Sequence, residues 1–496
     1  MNVQCSQTAG RAVIIGAGLG GLATALRLAT RGWRVRVCER SGTPGGKMNR
    51  WRAAGCTFDT GPSLITMPWV FEELFADAGE RLADYARLIP VHPLAEYVFA
   101  DGDRFAYSPR LPEWLAAVRT REGGRAETFL RHMALGARLF ELSKASFFRS
   151  SPFDRPDPAA LSALKYMPLR HVWGSYAETV RHFYHDPHLR QMFLRYPTYV
   201  GSAPERVPAM LTVIPYLEYA FGVHHIEGGL YTLIEALTAL LQARGVELRW
   251  QAPAVAIERA GERIAGVRLA DGTRWPADVV VMNGDVSRSP ALLGQPESPS
   301  LPESERSLSG LVFLWAVQGR LEGRAHHTVF FSSDYPREFH ELFDERRFPA
   351  DPTVYVNLPA RSDPSMAGPN AEPIFVMANA PANDGDPWDE AMIAEARRRV
   401  VARLRAGGFP DVEHRLVAES VWTPRRMAET YDMPGGAIYG THSHGIRRAF
   451  FRPPNRDRRI HGLYYVGGST HPGGGTPTVL LSARMVSEHI LRHRLS

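Results

Sequence analysis

Gly16, Gly18 and Gly21 stand in the spacing G-x-G-x-x-G within the run Gly16-Ala17-Gly18-Leu19-Gly20-Gly21. That spacing suits a pyrophosphate. The first glycine permits a tight turn, the second lets a phosphate approach the backbone, and the third lets a helix pack closely on a strand. Gly20 adds another position without a side chain, and Glu39 follows the alternating run Arg34-Val35-Arg36-Val37. A carboxylate there accepts hydrogen bonds from ribose hydroxyls and repels a 2'-phosphate, so the pattern fits FAD or NAD and not NADP. The competing readings are an ordinary glycine loop and a solvated charge.

A second glycine pair follows in Arg40-Ser41-Gly42-Thr43-Pro44-Gly45-Gly46-Lys47, and then comes Phe58-Asp59-Thr60-Gly61-Pro62-Ser63. Gly45 and Gly46 would let the backbone run along a ribitol and flavin, which a nicotinamide enzyme does not need at that point; the alternative is a surface turn. Near the other end stands Gly467-Gly468-Ser469-Thr470-His471-Pro472-Gly473-Gly474-Gly475-Thr476-Pro477. It reads as a turn between a strand and a closing helix whose N-terminus would stabilise negative charge on a reduced cofactor.

The elements that must position these residues follow from periodicity. Residues 13–15, 19–29 and 35–37 read as strand, helix and strand, with Gly32 as the helix stop, which makes one βαβ unit of a parallel sheet. A largely helical stretch runs from about 72 to 220. Residues 231–244 read as a helix, 246–250 as a strand, and 264–282 as a hairpin turning at Asp271 and Gly272. Strand-like runs at 353–357 and 374–379 precede a helix at 389–405, and the chain ends in a strand at 463–466 and a helix at 478–492. The expected class is α/β: a Rossmann-like dinucleotide domain built from discontinuous segments (1–100, 225–300 and 416–496), with a helical segment (101–224) and a second, α+β substrate domain (301–415).

The first glycine clusters resemble those of the amine oxidase and phytoene desaturase superfamily of flavoproteins. The C-terminal stretch, with Asp59 to Ser63 and 207–229, resembles the bacterial-type carotenoid desaturases along nearly the whole chain. The resemblance implies FAD as cofactor, a long polyisoprenoid substrate, and oxygen or a quinone as electron acceptor. It implies cofactor contacts at Gly16, Gly18, Gly20, Gly21, Glu39, Arg40, Gly45, Gly46, Lys47, Asp59, Gly61, Pro62 and Ser63. It extends them to Gly467, Gly468, Ser469, Gly474, Thr476 and Pro477, puts Val255 at the adenine, and matches Asn283-Gly284-Asp285 to a recurrent Asn-x-Asp element. Relatives often carry an acidic residue where Gly468 and Ser469 stand, which leaves the ribitol contact open. His471 is either a base or a structural hydrogen-bonding residue.

Allylic C–H groups are too weakly acidic for a side chain to deprotonate first, so hydride loss would lead and proton loss from the neighbouring carbon follow, leaving a modest role for any base. Tyr196, Tyr199, Ile214, Tyr216, Leu217, Tyr219 and Phe221 would line an apolar channel. Glu218 within that run is either a catalytic carboxylate or the partner of Arg190 or Arg195. The enzyme readings are phytoene, diapophytoene or hydroxylated-carotenoid desaturase, then carotenoid terminal oxygenase or isomerase, then flavin amine oxidase. A covalent flavin cysteine near the C-terminus, common among amine oxidases, is missing, since no cysteine follows Cys56. A polyisoprenoid escort protein is the non-enzymatic alternative.

With 496 residues, 44% apolar and 22% charged, the chain is long enough for two domains and a large cavity. The net charge of +6 suits anionic lipid or merely arginine-rich helices, while no lysine tract or zinc-ligand spacing points to nucleic acid or metal. Three cysteines, Cys5, Cys38 and Cys56, form no Cys-x-x-Cys pair and point to a reducing compartment. No run reads as a membrane span. Association would be peripheral, on the cytoplasmic side, with 139–173 either dipping into the lipid interface through Phe147 and Phe148 or packing ordinarily.

Overall fold

A computed structural model of the chain describes residues 9–152, 162, 165, 174–295 and 301–492. Its cofactor-side layer is a five-stranded sheet in the order Leu463–Tyr465, Val279–Met282, Arg11–Ile15, Arg34–Cys38, Glu247–Arg249. All four pairings are parallel. Parallel strands in the middle of a sheet are buried on both faces, which is why Val279–Met282 and residues 12–15 of Arg11–Ile15 are continuous apolar runs, whereas the edge strand Glu247–Arg249 is not. The period of two is visible in the packing. Ala12 and Ile14 face helices Leu19–Thr30, Tyr231–Ala243 and Thr476–Arg492, while Val13 faces the opposite cluster with Ile257, Val267 and Trp275.

Register decides what meets at the carboxyl edge. Ile15 lies opposite both Cys38 and Met282, and Met282 opposite Tyr465. The next residues of the four strands, Gly16, Glu39, Asn283 and Val466, therefore emerge together. The two ends of the chain converge there because Leu19–Thr30 and Thr476–Arg492 pack against each other.

The expected hairpin over 264–282 is corrected. Arg263–Leu269 does pair with Arg274–Pro276 around Asp271 and Gly272, and with Ala254–Ala260 on its other side. Val279–Met282 leaves to join the parallel sheet. Pro276 cannot extend an antiparallel ladder, and Asp278 turns the chain: its amide donates to the Arg11 carbonyl and its carboxylate accepts from the Arg11 amide at 2.8 Å.

The second sheet has seven strands, in the order Leu416–Trp422, Ser309–Gln318, Ala371–Ala380, Val354–Asn357, His327–Phe330, Ala95–Val98, Arg104–Tyr107. Helix Glu390–Ala406 covers one face through Val400 and Leu404. Phe58 of the Cys56–Asp59 strand packs on the other, against Val312, Leu314 and Phe375. This moves the borders expected at 100 and 415. The hairpin 95–107 straddles the first, and Leu416–Trp422 belongs to this sheet rather than to the last cofactor segment. Helices Glu127–Ala145, Tyr176–Phe183, Pro187–Leu194 and Val213–Phe221 form the third body. Two of them touch so closely at Gly136 that a Cβ there would lie 2.4 Å from Tyr216 Cβ.

Two glycines of the first helix region separate strain from space. At Gly32 (φ +79°) a Cβ meets nothing within 4 Å, whereas at Gly21 it would lie 2.2 Å from the Gly16 carbonyl oxygen. Gly32→Ala is expected to cost about 1–2 kcal/mol from left-handed backbone strain. Gly21→Ala should cost about 3 kcal/mol or more and lose bound flavin. Denaturant midpoints and the flavin-to-protein absorbance ratio check both.

Candidate functional site

The turn after Arg11–Ile15 leads into helix Leu19–Thr30, whose N-cap Gly18 offers no side chain and whose first turn has no acidic residue. Its amides are left for an anion. The strand-to-helix turn is braced by Glu39, which is 8% exposed: Oε2 accepts from the Ala17 amide and Oε1 from the Ser41 amide, each at 2.8 Å. Gly45 donates its amide to the Ala17 carbonyl, so the second glycine pair lies directly on the first. Gly46 approaches Gly18, with its would-be Cβ 3.4 Å from Gly18 Cα.

The C-terminal turn closes on the same place. A Cβ on Gly20 would stand 2.8 Å from Asn283 Oδ1, 3.1 Å from Val479 and 3.2 Å from Val466. A Cβ on Gly18 would stand 2.7 Å from Asn283 Nδ2, and that amide donates to the Gly16 carbonyl at 3.3 Å. One side chain thus touches the first turn while a Cβ on Gly467 would lie 3.4 Å from its Oδ1. Gly468 lies against Gly474, and Ser469 Oγ accepts from the Val286 amide at 3.0 Å. Gly475 (φ +119°) opens helix Thr476–Arg492, with Pro477 buried in its first turn.

Lys47 is surrounded by protein yet keeps open side-chain surface, as a residue lining an internal cleft does. Its ammonium donates to the Ile438 carbonyl at 2.6 Å. Burial pushes its pKa down, and Asp285 opposes that. Gly61 packs on the Lys47 carbonyl, half-buried Pro62 follows, and Ser63 Oγ lies 2.7 Å from the Tyr355 hydroxyl. Asp59 caps the start of helix Tyr231–Ala243 by accepting from the Leu230 amide at 2.9 Å. Arg40 reaches away to carbonyls of Glu429 and Thr430. Val255 is 43% exposed on the strand following Ala252, whose amide donates to the Glu39 carbonyl.

Glu218 is 3% exposed and accepts from Tyr196 Oη at 2.6 Å and Tyr199 Oη at 2.9 Å. Arg195 reaches it through Tyr199, donating to that hydroxyl at 2.9 Å and to Tyr97 Oη at 3.0 Å. Arg190 donates instead to the Tyr184 carbonyl. Burial, reinforced by Glu218, pushes the Tyr196 hydroxyl well up, so it is a neutral donor. Of the expected channel residues, Tyr196 is fully buried, Tyr219 packs on Tyr107 and Phe129, and Tyr216 and Phe221 pack on Phe140. His471 is a strut: fully buried, its Nε2 lies 2.8 Å from the Phe147 carbonyl, and its own carbonyl accepts from Asn455. Phe148 is 5% exposed and Phe147 packs on His471 and Phe450. These phenylalanines are packed against protein, and of the expected 139–173 segment residues 153–161, 163, 164 and 166–173 lie outside the described residues.

The sequence reading had not assigned roles to Asn283, Tyr355 or Arg452. Arg452, 3% exposed beside Gly473, donates to the carbonyls of Tyr439 and Thr441 and to Ser443 Oγ. Of the three, Asn283 had a signal, its place in the Asn-x-Asp element directly after a continuous apolar run.

A pyrophosphate turn, a braced carboxylate and a second glycine turn from the far end of the chain define a dinucleotide-dependent oxidoreductase. The flavin containing amine oxidoreductases match residues 19–491, and the chain belongs to that family. FAD is the flavin that a dinucleotide cradle holds. The chain is 35% identical over 495 residues to the 4,4'-diapolycopene oxygenase of Methylomonas sp., covering 97% of this chain and 98% of the other. It is 35% identical to the hydroxyneurosporene desaturase of Rubrivivax gelatinosus (97% and 93%) and 33% identical to the zeta-carotene-forming phytoene desaturase of Myxococcus xanthus (97% and 94%). Solved structures share the fold: an oxidoreductase from Methanosarcina mazei (TM-score 0.63, 17% identity, 96% and 100% covered) and a fatty acid isomerase from P. acnes (TM-score 0.60, 15%, 98% and 99%).

Burial pushes the Asp59 carboxyl up to about 6, against the Leu230 amide and His225, which favour its charge. The native state then holds this proton more tightly than the unfolded chain, where a carboxyl titrates near about 3.9. The stability it contributes is full below about pH 4 and lost as pH rises through about 6. Asp59→Asn keeps an acceptor for Leu230 and should flatten that fall, as read from urea midpoints of variant and parent across this window.

Proposed function

We propose that the protein is an FAD-dependent carotenoid desaturase that removes a hydride and a proton from adjacent allylic carbons of a long polyisoprenoid: phytoene, diapophytoene or a hydroxylated carotenoid. The observation that carries this is the similarity to carotenoid desaturases and oxygenases along 97% of the chain, together with a cradle made by both chain ends. FAD supplies the two-electron acceptor. The chain's own residues would hold it by backbone amides at two helix starts, with Asn283 between the two turns. The Lys47 ammonium lies in the same cleft. Around Glu218, Tyr196, Tyr199 and Arg195 form a neutralised buried set that can orient the reacting carbons, with the Glu218 carboxylate offsetting the positive charge that hydride loss leaves on them.

Delivery from a membrane surface, peripherally and on the cytoplasmic side, is part of the same reading, because the substrate class is insoluble and the chain carries a net charge of +6. Among the described residues no helix is long and apolar enough to cross a membrane. Electrons would pass on to oxygen or a quinone. A second reading, a carotenoid terminal oxygenase, is favoured by the similarity to the Methylomonas enzyme.

Expression in hosts that accumulate phytoene, diapophytoene or a hydroxylated carotenoid separates the two. Desaturation removes two hydrogens per step and moves absorption to longer wavelength, while oxygenation adds oxygen mass. Unchanged pigment in every host would reject both. Glu218→Gln should lower turnover by about 10²-fold or more at unchanged flavin content; turnover equal to the parent's would remove the proposed role.

A further inference from the structure

Beyond the cradle lies a run of buried polar groups that begins beside it. Ser63 follows Gly61, which packs on the Lys47 carbonyl. Ser63 Oγ is 2.7 Å from Tyr355 Oη, and Tyr355 Oη is 2.7 Å from His327 Nδ1. Asn357 Nδ2 donates to the His326 carbonyl and also to His327 Nδ1, each at 3.3 Å. The carbonyl can only accept, so it fixes which end of the Asn357 amide points there. His327 Nδ1 is then an acceptor and its ring proton sits on Nε2. Tyr355 must donate to His327, and Ser63 to Tyr355: the hydrogens point one way.

His327 Nε2, His326 Nε2 and both ring nitrogens of His225 are buried without a hydrogen-bond partner. Their rings are adjacent, with centroids 4.4 Å apart for His326 and His327 and 5.3 Å for His225 and His326. A buried ring nitrogen left unsatisfied is costly, so a cluster of them calls for a function. No group of histidines and carboxylates among the described residues could hold a metal ion. Beyond the rings, His225 Nε2 stands 3.4 Å from Asp363 Oδ2, and buried Asp363 is followed directly by exposed Pro364 and Ser365.

We propose that Ser63, Tyr355, His327, His326, His225 and Asp363 form a proton relay, bridged at the histidines by internal water, that carries the proton lost by the substrate from the cradle to the surface. The relay rests on the desaturation reading. The hydride leaves with both electrons of its bond. The adjacent C–H bond then breaks heterolytically, its electron pair closing the new double bond and its proton going to Ser63 Oγ. Ser63 passes its own proton to Tyr355, Tyr355 passes one to His327 Nδ1, and His327 releases the Nε2 proton by way of water beside His326 and His225 to Asp363, which loses it to solvent. Each relay member ends with the number of protons it began with.

The surroundings suit this. Burial, reinforced by His225, pulls His326 down to about 3, and burial with His326, His225 and Arg195 pulls His327 well below its ordinary value. Both are neutral rings that can accept at one nitrogen and release at the other. Arg195 and Glu218 face Tyr355, and Asp59 and Asp363 face His225. Although burial works against its charge, Asp363 is held well below the usual carboxylate range by His225, Ser365 and the Gly228 amide.

The test uses the flavin-loaded protein and the carotenoid that the expression hosts identify, presented in phosphatidylcholine vesicles. Tyr355→Phe and His327→Ala should keep flavin content and KM, lower kcat by about 10–100-fold and enlarge the solvent deuterium effect, and imidazole should restore part of the His327→Ala rate. Nitrogen NMR of labelled histidines in the parent, without substrate, should find His327 as the neutral Nε2–H form. Parental turnover in Tyr355→Phe overturns the relay, as does a loss with an unaltered deuterium effect, or a charged or Nδ1–H His327. A parent that desaturates no carotenoid overturns the functional reading itself, which the variants alone cannot do.

Discussion

At Gly20 two turns from opposite ends of the chain come within contact of one another, and the rest of the structure depends on that approach. Asn283, Val466 and Val479 crowd the space a side chain would fill. A methyl group there would separate the C-terminal turn from the first helix and open the cradle between them. The parallel sheet makes the approach possible because its register delivers Gly16, Asn283 and Val466 to one edge. Asn283 then ties the edge together with an amide that touches both turns.

The two halves of the molecule divide the labour by polarity. The parallel sheet leaves uncapped backbone amides at its carboxyl edge and keeps its own charges braced, as Glu39 is by Ala17 and Ser41. The helical body and second sheet instead bury side-chain polar groups in connected sets. Arg195 is one example. Burial disfavours its charge, yet the hydroxyls of Tyr199 and Tyr97 and the Glu218 carboxylate more than offset that cost. Such sets are stable only when their members satisfy one another, which makes Glu218 and its tyrosines a single unit rather than a lone acid. The Cys56–Asp59 strand joins the halves, with Phe58 in the core of the second sheet and Asp59 capping a helix of the first body.

Much of this was legible in the residues. Gly16, Gly18, Gly21 and Glu39 announced a dinucleotide turn because strand, glycines and helix are adjacent in sequence and local sterics decide them. The closing helix and its glycine turn were readable for the same reason. The hairpin over 264–282 was misread because Val279–Met282 is apolar enough for either ladder, and only the partner strand Arg11–Ile15 selects the parallel one. The domain borders at 100 and 415 failed likewise, since Ala95–Val98 and Leu416–Trp422 are assigned by the strands they pair with.

By itself the sequence determined the cofactor chemistry, because phosphate binding at a turn depends on missing side chains at fixed spacing along one short stretch. Tertiary structure alone decided which side chains share a site. Asn283 between two turns, Glu218 coupled to Arg195 through Tyr199, and His327 against Tyr355 are contacts between residues remote in the chain or on neighbouring elements. Their geometry is set by sheet register and helix packing, and neither leaves a periodic trace in the residues that finally meet.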